Sequence, residues 1–239
     1  MRLAAAIKLD ARVQARNQLW AISIGVAVLA AGALAWLSPP QRLGGTVPMA
    51  VLMFAGGSTL LYVTAMILLE RSDGILAAIS VSPLRPWEYL ASKVVTLTAL
   101  ATAEALILGY GAIAIVARTG DVVWPGPLLL VGVLALAAMH VLLGVVLVVR
   151  YDKINEVLLP MSAIATVLQI PALWMIGAVD GRVWLAIPSA APTMLVRAAF
   201  VPLSTGEWIY AVTYTAVTLA VLAVWAARAF ARHVSQRGG

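Results

Sequence analysis

The sequence predicts an all-α, polytopic membrane protein with six transmembrane helices, and three observations carry that fold. The composition is 63% hydrophobic with 11% charged residues, at a mean hydropathy of +0.99, beyond the apolar share of a water-soluble domain. Apolar runs at residues 19–37, 48–69, 94–117, 126–149, 157–177 and 208–227 suit the roughly 20 residues that a helix needs to cross a hydrocarbon core of about 30 Å. Lys and Arg divide unevenly between the joints: with the N-terminus inside, twelve of sixteen lie on the cytoplasmic face and Arg42, Arg118, Arg182 and Arg197 on the other. That split obeys the positive-inside rule and predicts a multi-pass plasma-membrane protein with both termini cytoplasmic. Residues 1–239 read as a single transmembrane domain.

Residues 1–18 carry Arg2, Lys8, Asp10, Arg12 and Arg16 between Leu3, Ile7 and Val13. This spacing predicts an amphipathic helix along the cytoplasmic interface rather than a removable signal. Ser38-Pro39-Pro40 and Gly44-Gly45 punctuate the first outer joint, residues 118–125 form the second, and residues 150–156 close the second inner one. The last outer segment, 178–207, contains Trp184, Met194, Leu195 and Phe200, yet Pro188, Pro192 and Pro202 cut it into pieces too short to span. Short re-entrant or interfacial helices packed on the outer ends of the spans are expected, because backbone at membrane depth must be satisfied by protein or water. Residues 228–239 form a basic cytoplasmic tail.

The charged insertion at 70–93 interrupts this apolar pattern. Ile75, Leu76, Ile79 and Val81 follow the spacing of an amphipathic helix that Ser82-Pro83 ends. A second helix is expected to start at Pro86-Trp87-Glu88, with Pro86 in its first turn, Trp87 and Tyr89 at headgroup level, and Lys93 where span three begins.

The string from Leu69-Glu70-Arg71-Ser72-Asp73-Gly74 through Val81-Ser82-Pro83-Leu84 to Trp87-Glu88-Tyr89-Leu90 and Lys93 resembles the region between spans two and three of type-2 ABC transporter permeases. The likeness extends over the whole chain, and Arg150-Tyr151-Asp152-Lys153-Ile154-Asn155-Glu156 with Leu158-Leu159-Pro160 is similar to the small fluoroquinolone-export permeases of actinobacteria. The resemblance implies that residues 70–93 hold a coupling helix docking on an ATP-binding subunit. Ile75, Leu76 and Ile79 would then be apolar anchors, Glu70, Arg71, Asp73 and Arg85 rim charges, and Gly74, Ser82 and Pro83 the turns that frame the helix. It also implies two copies of that subunit, a second permease that is identical or related, and export of drugs or other amphiphiles. No GxxxxGK[ST] phosphate loop occurs, so ATP and Mg are expected on the partner and no cofactor on this chain. No cysteine is present, which removes thiolate metal sites and cysteine nucleophiles.

Glu104, His140 and Gln169 fall at nearly the same depth by helical rise, in spans three, four and five. A charged residue at that depth costs at least about 2.5 kcal/mol, so Glu104 is expected to face protein or water, with His140 and Gln169 as partners. The trio reads either as interhelical glue or as a polar substrate pathway, glue being favoured. A proton-coupled secondary transporter relying on Glu104 and His140 is the alternative function. An intramembrane enzyme is poorly supported, because the chain has two histidines, His140 and His233, and no nucleophile motif. The excess of basic residues is explained by membrane orientation, so no nucleic-acid partner is expected.

Overall fold

Six helices long and apolar enough to cross a membrane stand in the computed structural model, which describes residues 2–75, 84–178, 181 and 183–237. In chain order the elements are α1 (Arg2–Arg16), α2 (Leu19–Leu37), a 3₁₀ turn at Pro40–Arg42, and α3 (Leu43–Ser72). Then follow α4 (Pro86–Val116), α5 (Leu128–Val148), α6 (Ile154–Met175), a 3₁₀ turn at Val183–Ala186, α7 (Ala190–Arg197) and α8 (Thr205–Arg237). Among the described residues there is no strand, as expected where every backbone group must be satisfied within its own segment.

Burial separates a central helix from peripheral ones. The apolar window of α5 is 72% buried, against 28% for α2 and α6 and 22% for α8. α5 packs on α3, α4, α7 and α8, while α2 leans chiefly on α4. Ile22, Val28, Leu29 and Trp36 of α2, and Ile209, Val217 and Val221 of α8, remain exposed. An apolar surface of that kind is stable only against lipid or another apolar partner.

Three helices run further than their apolar runs suggest. α3 begins at Leu43 and tolerates Pro48 close to its start, where few intrahelical bonds are lost. α4 begins at Pro86, so the expected second helix of the insertion and span three are one continuous rod. Its start is fixed by the Arg85 amide donating to Glu88 Oε2 at 2.8 Å. The same device opens α8: the Ser204 amide and hydroxyl donate to Glu207 Oε2 at 2.8 and 2.7 Å.

The segment before the last span is packed rather than loose. Every residue from Ala190 to Val196 is buried, with Met194 and Leu195 against Ala211, Trp174 and Trp208. The backbone of α7 approaches α5 so closely that a Cβ on Gly132 would lie 2.4 Å from the Val196 nitrogen, which makes glycine a steric requirement at that position. Ser189 donates its hydroxyl to the Leu168 carbonyl at 2.5 Å. Tyr210 and Tyr214 donate to the carbonyls of Leu185 and Ala186 at 2.5 and 2.7 Å.

Candidate functional site

The end of the bundle that carries α1 also gathers the end of α3, the start of α4, the turn after α5 and the distal part of α8. The last turns of α3 deliver Glu70 and Arg71, the first two turns of α4 deliver Tyr89, Ser92 and Lys93, and α1 supplies Asp10. Positions 89, 92 and 93 lie three and four residues apart and therefore share one face of α4. Lys93 is fully buried. Its ammonium donates to Asp10 Oδ1 at 2.5 Å and to Glu70 Oε1. The outer oxygens are satisfied as well: Tyr89 donates to Glu70 Oε2 and Ser92 to Asp10 Oδ2, both at 2.5 Å. The Lys93 ammonium sits 5.2 Å from the Tyr89 ring centroid, and that ring stacks on Phe230 of α8 at 5.1 Å.

One cation between two carboxylates, closed by two hydroxyls, joins α1, α3 and α4, and the aromatic stack adds α8. Such a cluster holds only as a unit, because removing one partner from a buried pair leaves a charge that costs about 3–5 kcal/mol. A second tie joins the end of α3 to the turn after α5: Arg71 donates through Nη1 to the Tyr151 carbonyl and pairs with Asp152 Oδ1 at 3.0 Å. Mechanically, the feet of α3 and α4 are locked together, and the joint after α5 is locked to them.

The residues expected to dock a partner separate into three groups. Glu70 is 4% exposed, so it lies beneath the expected rim, where Lys93 and Tyr89 draw it in; its part is to position the segment rather than to present a charge. Arg71 is half-buried and turned toward Tyr151 and Asp152. Asp73, Gly74, Ile75 and Arg85 are at the surface, with Ile75 39% exposed. Gly74 has φ +71° and turns the chain away from α3, a conformation that glycine adopts without a Cβ penalty. Leu76, Ile79, Ser82 and Pro83 lie outside the described residues. Asp10, Tyr89, Ser92 and Lys93 complete the cluster but were legible in the sequence only as topology charges and interface residues. The available signal was an acid on each side of Lys93 in an apolar chain, which does not by itself reveal spatial pairing.

The mid-membrane trio does not converge. Glu104 is buried and accepts from Ser58 Oγ at 3.1 Å, with the Tyr62 hydroxyl beside it. His140 Nδ1 lies 2.8 Å from the Leu136 carbonyl, to which it donates, and its Nε2 would lie 2.8 Å from a Cβ on Gly56. Gln169 faces the neighbouring Gly57. Ser58 and Gly56 are two residues apart, so at 3.6 residues per turn they point about 200° apart on α3. Glu104 and His140 therefore meet nearly opposite faces of α3, and Gln169, at Gly57, lies about 100° from each. All three meet α3 within residues 56–62, and the partners of Glu104 are Ser58 and Tyr62.

Among the described residues no group of three or more His, Cys, Asp or Glu side chains could hold a metal ion. Six spanning helices tied at one charged end define an integral membrane protein. The chain belongs to the Fluoroquinolones export permease protein family, whose pattern it matches over residues 1–238. It is 28% identical over 248 aligned positions to the fluoroquinolones export permease proteins of two strains of Mycobacterium tuberculosis, an alignment that covers 100% of this chain and 98% of each relative. It is accordingly a transport protein of the membrane.

Proposed function

We propose that this chain is the membrane-spanning subunit of an ATP-driven exporter, moved by a separate ATP-binding subunit that grips residues 70–93. The observation that carries the reading is the locked foot of that segment. Lys93 and Glu70 fasten the start of α4 to the end of α3, so a push on the residues between them reaches two continuous helices of 31 and 30 residues. Ile75 at the surface supplies an apolar contact of the kind that anchors interfaces. ATP and Mg belong to that partner in this reading, which the lack of a GxxxxGK[ST] phosphate loop in the sequence supports.

Two ATP-binding subunits and two permease copies, identical or related, complete the assembly, with both termini and the Lys93 cluster in the cytoplasm. The twelve-to-four distribution of Lys and Arg supports that orientation. The segment holding α7 is re-entrant from the outside: Ser189 reaches the Leu168 carbonyl seven residues before the end of α6, about 10 Å inward by helical rise. The cargo is a fluoroquinolone or similar amphiphile, a reading supported by the names of the relatives.

Doubling Ile75→Asp with Ile79→Asp tests the grip. The variant is expected to purify as a folded permease that has lost its ATP-binding subunit and its transport. Retention of both would overturn the docking assignment.

A further inference from the structure

We propose that a basic cleft at the charged end of the bundle is a binding site for an anionic phospholipid, held by its phosphate. The cleft has a volume of about 910 Å³ and lies between the end of α5 and the distal half of α8. Arg150, Arg228 and Arg232 line it together with Trp225, while Val149, Ala220, Val221 and Val224 make its apolar wall. The Arg150 guanidinium lies 5.6 Å over the Trp225 ring, which fixes the cation against the wall without consuming its hydrogen-bonding fork.

The arrangement is layered as a phospholipid is layered. Val221, Trp225, Arg228 and Arg232 follow one another at four-, three- and four-residue steps and so form one stripe of α8. Arg228 stands seven residues beyond Val221, about 10 Å along the axis. Arg232 and Arg228 therefore stand toward one end of the stripe, Trp225 with Arg150 over its ring comes next, and Val221 lies beyond, an order that suits phosphate, glycerol and acyl chain. Among the described residues the lining contains no Asp or Glu that would repel an anion, and arginine presents paired donors to phosphate oxygens. A topological role for these arginines asks only that they lie on one side of the membrane. It does not account for residues of two helices converging on a single amphipathic cleft. A second copy of the chain fits less well, because it would bring a face of the same sign against this one.

Native mass spectrometry of the purified full-length chain in detergent, titrated with phosphatidylglycerol or phosphatidylcholine, tests the site. A basic residue near an anionic lipid contributes about fivefold in affinity. Phosphatidylglycerol is therefore expected to bind more tightly than phosphatidylcholine, and Arg150→Gln with Arg228→Gln to weaken it by about 25-fold. Arg228→Lys should retain most of the binding, and inorganic phosphate should not displace the lipid. Equal binding of the two lipids, displacement by phosphate, or dissociation of a permease dimer in the double variant at unchanged lipid affinity would each overturn the proposal. Should the double variant fail to fold, quenching by brominated lipids in nanodiscs gives an independent reading on the native chain against Trp225→Phe. The Trp225-dependent quenching is expected to be stronger with brominated phosphatidylglycerol than with brominated phosphatidylcholine, and equal quenching would contradict the site.

Discussion

Glu70 and Glu104 are both buried carboxylates, 4% and 1% exposed, yet their surroundings assign them different work. Glu70 meets a lysine ammonium and a phenol, and through Lys93 it is tied to Asp10 on another helix. Glu104 meets hydroxyls, and among the described residues its Oε1 has no hydrogen-bond partner. The first carboxylate belongs to a charged joint that four elements share; the second joins neighbouring spans through Ser58. Depth in the bilayer explains neither difference. What separates them is whether a cation stands opposite, and that follows from how the helices pack.

The largest effect is expected where charges are shared. Lys93→Met leaves Asp10 and Glu70 facing each other in a buried site and is expected to destabilise the protein by about 3–5 kcal/mol, seen as lost monodisperse protein and a lower melting temperature. Combining it with Asp10→Asn and Glu70→Gln should restore most of that stability, since no unpaired charge then remains. If the triple variant is no better than the single one, the cluster is held by something other than its charges.

Smaller losses are expected at the next two positions. Gly132→Ala forces a Cβ against the Val196 backbone and should cost about 1–3 kcal/mol in thermal stability. Unchanged stability would mean that α7 does not rest on α5. Arg71→Ala leaves the Tyr151 carbonyl without its donor; a loss of about 1–3 kcal/mol is expected, with faster proteolysis near residue 152. Equal proteolysis in the variant and the native chain would mean that the turn after α5 does not depend on α3.

Glu104→Gln should be the mildest change, about 1 kcal/mol or less, because an amide can keep the bond to Ser58 and interhelical hydrogen bonds in membranes are modest. Retained export would sharpen the contrast with Glu70. Loss of export at unchanged stability would instead make Glu104 part of the transport path.

The six spans were legible because apolar length is a local property, recorded in each run of about 20 residues. Their ends were less so: α3 and α4 extend past their apolar cores because Glu70, Tyr89 and Lys93 remain helical while being polar. Helical spacing placed Tyr89 and Lys93 on one face, but Asp10 lies 83 residues from Lys93, and no periodicity reports such a pairing. Matching depths suggested that His140 and Gln169 would serve Glu104, and the rotation of α3 between them defeats it. The amphipathic reading of α1 gave a helix, though its polar Asp10 and Gln14 are buried, since Lys93 draws the aspartate inward.

Reconstituting the purified permease in proteoliposomes, with and without the proposed ATP-binding subunit, tests the central claim most directly. Drug movement is expected only when both subunits and ATP are present, and it should vanish in the doubled Ile75→Asp and Ile79→Asp variant. Transport by the permease alone, driven by a proton gradient in the absence of ATP, would contradict the account.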